Sequence, residues 1–337
     1  MLSGRAQGKL ATHCHHQQRH HRYPMLHIIL LIADTDLIED TNYLRLGNEL
    51  LQRDVAVDCC FMDSLAMHNS EIVADGFPLV EVLKADQPFP PRARIHLSQA
   101  DIVWTLTLGM RHSFLDKIQL LKCLDGQCKM INSLDALMHF KSKYFLASHR
   151  HIFQYPDSYG STSSVDLLTV MKQAGGRWIA KPPAGSLGRD IFLLTSEDRN
   201  ARVILESMTG PESDQYCLIQ PYVEEIAQGE KRVLIANGQP VAQYLRQSNG
   251  DHRTNVSAGA STTLCDLTAD EHQYCERIGA FLAGQGAQFV GLDLAYPWVI
   301  EFNVVNPGGI QTIVSLGGVD PSKRIIDEIF RDYVPTA

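Results

Sequence analysis

The sequence predicts an α/β protein in two parts: a doubly wound, largely parallel sheet, followed by α+β units rich in antiparallel strands. Three observations carry this expectation. Residues 27–133 alternate apolar strand runs with amphipathic helical spacing, as a parallel sheet with helices on its faces requires. Residues 177–194, RWIAKPPAGSLGRDIFLL, read as strand, glycine-containing loop and returning strand. Residues 231–247 and 291–309 each read as a hairpin, the first about Asn237-Gly238, the second about Pro297. A chain of 337 residues is long enough for two or three such units.

Taken in order, HIILLIA (27–33) is too short to cross a bilayer and is followed by acids, so it is a buried strand. DTNYLRLGNELLQRD (40–54) places Leu44, Leu46, Leu50 and Leu51 near helical spacing. VAVDCCFM (55–62) and ADIVWTLT (100–107) are strands, and HSFLDKIQLLKCLDG (112–126) is a helix that stops at Gly126. KMINS (129–133) is a short strand. SLDALMHFKSKYFLASH (133–149) reads as one helix with Ser133 at its N-cap and an acid in its first turn. Helices at 165–175 and 196–210 and a strand at 216–223 complete the reading. The expected units are 25–134, 135–215 and 216–332. HCHHQQRHH (13–21) offers no apolar face, so residues 1–24 are expected to be a disordered His-rich extension, able to bind a transition metal only adventitiously.

Composition excludes some function classes. A formal net charge of −8 argues against a nucleic-acid partner, whose footprint would be basic. No run of ~18 apolar residues is present, so no membrane-spanning helix is expected. Eight scattered cysteines without a C-x-x-C pair suit reduced thiols in a cytoplasmic protein.

Three stretches carry chemistry. In GLDLAYPWVIEFNVVNPGG (291–309), pairing about Pro297 puts Leu292, Leu294, Ile300, Phe302 and Val304 on one face and Asp293, Glu301 and Asn303 on the other. That register sets Asp293 opposite Glu301, where like charges repel. Either the face is simply solvated, or a hard cation such as magnesium is held there by oxygen ligands. In the second stretch, Lys181 ends a strand before Gly185 and Gly188. Glycines let backbone N–H groups approach phosphate oxygens, and the lysine adds a point charge. A plain turn beside a snorkelling lysine is the alternative. In the third, IQPYVEEIAQGEKRVLI (219–235), an extended segment and a following acid read either as a nucleotide clamp or as an exposed connection.

In this order the three stretches, preceded by the lysine of FKSKYF (140–145), resemble the ATP-grasp ligases, and among them bacterial glutathione synthetase most. The resemblance runs from about residue 25 to 330. It implies an ATP-grasp fold: an N-terminal doubly wound domain, then two α+β subdomains that clamp ATP. It places Lys143 and Lys181 on the ATP phosphates, with a glycine loop at Gly185, Ser186 and Gly188. It places the adenine-reading hinge at Gln220, Pro221, Tyr222 and Val223, the ribose-binding acid at Glu230, and the family arginine at Arg232. Arg253, Asn255 and Gly259 match the reacting centre, and Asp293, Glu301 and Asn303 match magnesium ligands, with manganese as a substitute ion. The implied reaction joins a carboxylate and an amine through an acyl phosphate, with γ-glutamylcysteine and glycine as the first pair. Small molecules are the expected partners, and a homo-oligomer is compatible with the resemblance. Ala184, Leu187, the 104–114 segment WTLTLGMRHSF and Asn306-Pro307-Gly308-Gly309 depart from the family pattern on its substrate side. They keep open another amino acid or small peptide as substrate, a non-catalytic nucleotide-binding regulator, and a phosphotransferase. Arg111, Arg246 and Arg253 are the candidates for substrate carboxylates.

Overall fold

The computed structural model describes residues 25–53, 55–183, 190–248, 259–331 and Tyr333. Within them the chain forms three sheets in succession. The first contains β1 (His27–Ile32), β2 (Ala56–Phe61), β3 (Ala66–His68), β4 (Glu71–Pro78), β5 (Ala93–His96), β6 (Ile102–Thr105) and β7 (Lys129–Ile131). Its order is β3-β4-β2-β1-β6-β7, with β5 on β4. The second contains β8 (Tyr159–Ser161), β9 (Arg177–Lys181), β10 (Phe192–Thr195) and β11 (Cys217–Pro221), in the order β10-β9-β11-β8. The third contains β12 (Glu230–Ala236), β13 (Gln239–Gln247), β14 (Ser261–Leu264), β15 (Phe289–Ala295) and β16 (Trp298–Asn303), in the order β14-β13-β12-β15-β16.

The helices are α1 (Asn42–Leu51), α2 (Phe114–Lys122), α3 (Leu134–His139), α4 (Lys143–Ser148), α5 (Ser164–Ala174), α6 (Ala201–Thr209), α7 (Ala269–Gly284), α8 (Ile310–Ser315) and α9 (Ser322–Ile329). From Ile28 to Ile32 β1 is apolar because both of its faces are covered. Ile28, Leu30 and Ile32 pack with Leu46 and Leu50 of α1, Ile325 and Ile329 of α9, and Leu234 and Phe289 of the third sheet. Ile29 and Leu31 pack on the other side with Leu121 of α2. The far face of the third sheet is covered by Cys275, Ile278 and Leu282 of α7. One face of the second sheet, with Trp178, Ala180, Cys217 and Ile219, packs on α5 and α6. Asn132, just after β7, ties the first sheet to the third. Its Nδ2 donates to Phe289 O (2.7 Å) and Val304 O (2.6 Å), and its Oδ1 accepts from Phe289 N–H (2.8 Å), so both ends of the β15–β16 hairpin are held.

Four differences from the sequence reading have physical causes. The first sheet is less parallel than expected: β2, β1, β6 and β7 run parallel, but β3, β4 and β5 add an antiparallel edge. Its β3–β4 turn is made by Asn69 and Ser70, both at positive φ. The helix expected over 133–149 is two helices. Ser142 caps the second one by accepting from Tyr144 N–H (3.2 Å), and serine side chains favour such a break. In the last hairpin the register shifts after Asp293, so Leu294 faces Val299. Val299, fully buried, takes the core place expected for Ile300. Finally, α7, α8 and α9 lie beyond the elements the sequence predicts, although Thr268 and Glu271 form a capping box at the start of α7.

Candidate active site

Alternation along β12 makes half of one face into core and half into a charged site. Glu230, Arg232, Leu234 and Ala236 share that face. Leu234 and Ala236 pack toward β1, leaving Glu230 and Arg232 at the other end. Cross-strand neighbours extend the patch. Glu230 pairs with Arg246 and Arg232 with Asp293; Asp293 in turn pairs with Glu301, and Gly291 with Asn303. The expected juxtaposition of Asp293 and Glu301 is therefore present.

Each of the two acids has cations of its own. Arg232 Nε donates to Asp293 Oδ1 at 2.5 Å and its Nη2 to Oδ2 at 3.1 Å. Arg246 Nη2 reaches Asp293 Oδ1 at 2.8 Å and also bonds Glu230 Oε1. Asn303 Nδ2 donates to Asp293 Oδ2 at 3.3 Å. Burial alone would raise the pKa of Asp293, but Arg232 and Arg246 hold it below the usual carboxylate value. Burial would likewise lower the pKa of Arg246, but Asp293 and Glu230 raise it. Glu301 is met from the opposite side by Lys143 Nζ, at 2.9 Å from Oε1. Opposed like charges in this hairpin are thus offset by the protein itself, and repulsion alone does not call for a metal.

Lys143 is placed by its helix end. The Ser142 cap starts α4, and Lys143 N–H donates to Pro183 O (3.1 Å), next to the end of β9. Lys181 and Gln220 lie on the face of the second sheet turned away from α5 and α6, since Ala180 and Ile219 face those helices. Burial first, then the nearby Lys143, lowers the pKa of Lys181 to about 7, against the pull of Glu301 and Glu230. In the hinge, Gln220 Nε2 donates to Ser158 Oγ (2.7 Å) and Tyr222 N–H to Arg177 O (2.9 Å). Pro221 has no N–H to offer.

The structure brings together Lys143, Lys181, Gln220, Glu230, Arg232, Asp293, Glu301 and Asn303. Gly185, Ser186, Gly188, Arg253 and Asn255, with Ala184, Leu187 and residues 1–24, lie outside the described residues. Gly259 sits exposed just before β14, at φ +89°. Arg246, a candidate for a substrate carboxylate, is instead buried inside the acid cluster, its Nε without a partner among the described residues. Arg111 is exposed beyond β6. Among the described residues the patch carries four cations, Lys143, Lys181, Arg232 and Arg246, against the acids Glu230, Asp293 and Glu301. That balance suits an anionic ligand. Lys143 takes Glu301 Oε1 and Asn303 donates its Nδ2 to Asp293, so the oxygen donors of the patch are Glu301 Oε2, Asn303 Oδ1 and the arginine-paired carboxylate of Asp293. Such a donor set, completed by phosphate oxygens, fits magnesium. A cluster of His, Cys, Asp and Glu able to hold a metal alone is absent among the described residues.

Sequence reasoning missed two features. Asp63 and the buried Lys117 pin the 104–114 segment: Asp63 accepts from Met110 N–H (2.9 Å) and bonds Lys117, which also donates to Leu108 O and Met110 O (both 3.2 Å). Gly109 at φ +59° passes so close that a Cβ there would stand 2.4 Å from Asp63 Oδ1. The spacing of Asp63 and Lys117 along the chain follows no local period. The other is Tyr155, a buried tyrosine near Lys181 with no motif around it.

A model of the prokaryotic glutathione synthetase ATP-grasp domain matches residues 148–318. Glutathione synthetase of Gloeobacter violaceus is 30% identical over 239 residues, covering 68% of this chain and 72% of that protein. Glutathione synthetase of Agrobacterium fabrum is 33% identical over 169 residues, covering 50% of this chain and 53% of that protein. Matches to curated relatives thus span from about half to nearly three quarters of their length. Among solved structures, D-cycloserine synthetase DcsG superposes with a TM-score of 0.62 at 12% identity, over 90% of this chain and 99% of that one, a likeness of fold.

Proposed function

Since the chain belongs to the prokaryotic glutathione synthetase ATP-grasp family, and is an ATP-dependent carboxylate–amine ligase, we propose that it works through an acyl phosphate formed at the patch where the second and third sheets meet. The observation that carries this reading is the convergence of Lys143 and Lys181 on the hairpin of Asp293, Glu301 and Asn303.

In this reading Lys143 and Lys181 hold phosphate oxygens of ATP, and Gln220, Pro221, Tyr222 and Val223 border the purine. Glu230, shared with Arg246, faces the ribose. Arg232 and Arg246 keep Asp293 ionised and fixed, so the charge that receives the nucleotide needs no reorganisation. Magnesium, when bound, supplies Lewis acidity and a template for the phosphates, and Glu301, Asn303 and Asp293 are the residues that would hold it. The substrate carboxylate attacks the γ-phosphorus and releases ADP. The amine then attacks the acyl carbon and expels phosphate. Catalysis of such transfers is mostly positioning and charge stabilisation, which is what buried, paired cations provide. Arg253, Asn255 and Gly259 are proposed for the reacting centre, and Gly185, Ser186 and Gly188 for the phosphates.

γ-Glutamylcysteine and glycine are the first pair to try. The pinned segment after β6 and the loop at Asn306, whose Oδ1 accepts from Asn42 Nδ2 at 2.7 Å, favour a different amino acid or small peptide. No helix among the described residues is long and apolar enough to cross a membrane, and a cytoplasmic enzyme acting on small molecules is the setting we infer. The test is phosphate release from ATP by the purified chain across carboxylate and amine pairs. ADP formation that requires both partners supports the reading. ADP formation indifferent to the amine indicates a phosphotransferase, and tight ATP binding with no turnover indicates a regulator.

A further inference from the structure

Tyr155 stands between the hinge and the acidic hairpin. The chain beside it is fastened to the third sheet: Val299 N–H donates to Gln154 O (2.9 Å), and Gln154 N–H to Tyr274 Oη (2.7 Å). Its ring belongs to the core of Val299 and Phe302, and only 2% of the residue is exposed. Around it lie polar groups of both sheets. The Lys181 ammonium is 6.0 Å from the ring centroid, the Gln220 side-chain amide lies close enough to the hydroxyl to lower its pKa as a hydrogen-bonding neighbour, and Glu301 acts on it through its charge. Yet among the described residues the buried Tyr155 hydroxyl makes no hydrogen bond of ordinary length and angle, to Gln220 or to any other group. Gln220, beside it, spends its Nε2 on Ser158 Oγ at 2.7 Å.

A buried hydroxyl that makes no bond costs stability, whereas an apolar group of the same shape does not. Phenylalanine would fill this space equally well. The hydroxyl is therefore a destabilising feature of the ligand-free protein, placed beside Lys181, Gln220 and Glu301. A partner that arrives with a ligand would complete it. We propose that the Tyr155 hydroxyl is a nucleotide contact, donating to an acceptor atom of ATP that comes to lie between Lys181, Gln220 and Glu301. The inference rests on the nucleotide reading of this site and adds to it a residue that no motif marks. The acceptor is either a phosphate oxygen or a purine nitrogen, and both take the same O–H donor.

The test is Tyr155→Phe, with ligand-free melting and ATP binding by calorimetry as paired readouts. The variant should melt about 2 °C or more above the parent, because an unpaired polar group has gone. Its ATP dissociation constant should rise roughly three- to tenfold, the effect of one hydrogen bond. Inorganic tripolyphosphate separates the two acceptors: an equal loss places the contact on phosphate, and unchanged tripolyphosphate binding places it on the base. A variant that melts lower than the parent shows a structural bond and overturns the proposal. So does unchanged ATP affinity at any melting temperature. If the parent itself fails to bind ATP, the nucleotide reading falls and takes this contact with it. If the parent binds ATP and Tyr155→Phe binds it equally well, only the role of Tyr155 is lost.

Discussion

Lys181 should make ATP affinity and ligand-free stability respond to pH in opposite directions. Burial and the neighbouring Lys143 bring its pKa to about 7, against ~10.4 for an unfolded lysine. In the ligand-free protein its side chain is then about 90% protonated at pH 6 and about 10% at pH 8. If phosphate binding needs the ammonium, apparent ATP affinity falls about tenfold over that span and about tenfold more by pH 9. The stability effect has the other sign. Between pH ~7 and ~10.4 the unfolded chain holds this proton and the folded chain does not, so stability rises with pH, by at most ~1.4 kcal/mol per unit. Below pH ~7 both states are protonated and the full penalty of the buried charge remains. Lys181→Met keeps the volume and removes both effects. At pH 6 the variant should melt above the parent, with the gap closing as pH rises. Calorimetry in two buffers of different ionisation enthalpy should find about one proton taken up per ATP by the parent at pH 8 beyond that seen with the variant. The comparison also cancels the titration of the nucleotide itself. Parallel pH profiles for parent and variant, in both binding and melting, would refute the reasoning.

Three further outcomes are expected. Arg246→Met should leave Glu230 and Asp293 buried without their shared cation, a loss of ~3–5 kcal/mol in denaturant unfolding; a loss below ~1 kcal/mol means the acids are better solvated than their burial implies. Glu301→Gln keeps the shape of the hairpin but removes a charged oxygen, so turnover should demand at least ~10-fold more magnesium; normal turnover at low magnesium would contradict the metal role of this strand. Gly109→Ala should displace the segment after β6, because its Cβ would stand 2.4 Å from Asp63 Oδ1. Turnover with the best substrate pair should then fall while ATP affinity stays within about twofold, a shift near 0.4 kcal/mol; equal loss of both would place that segment on the nucleotide side.

Much of the fold was legible because local rules determine it. The β15–β16 pairing of Gly291 with Asn303 and of Asp293 with Glu301 follows from side-chain alternation about one turn. Asn237 and Gly238 at φ 44° and 87° are what an Asn-Gly hairpin turn requires. Lys143, Lys181 and the hairpin acids stand out in the sequence because each lies in a short ordered motif. The β3–β4 turn was missed because Asn-Ser is a weaker turn signal than Asn-Gly. The shift after Asp293 was missed because a bulge changes the register without breaking the apolar pattern.

By itself, then, the sequence determined the alternation of strands and helices, the pairing of Asp293 with Glu301 in the last hairpin, and which face of that hairpin is charged. These depend on residues a few positions apart, where the periods of helix and strand and the φ of a turn residue decide. Only the tertiary structure decided what answers those charges: Lys143 on Glu301, Arg246 between Glu230 and Asp293, and Lys117 on Asp63. It also decided that the buried Tyr155 hydroxyl makes no hydrogen bond of ordinary length and angle among the described residues. The partners come from different strands and helices, and no spacing along the chain encodes which of them meet. Burial sets how much each meeting matters, because the cost of an unanswered polar group appears only once water has been excluded from it.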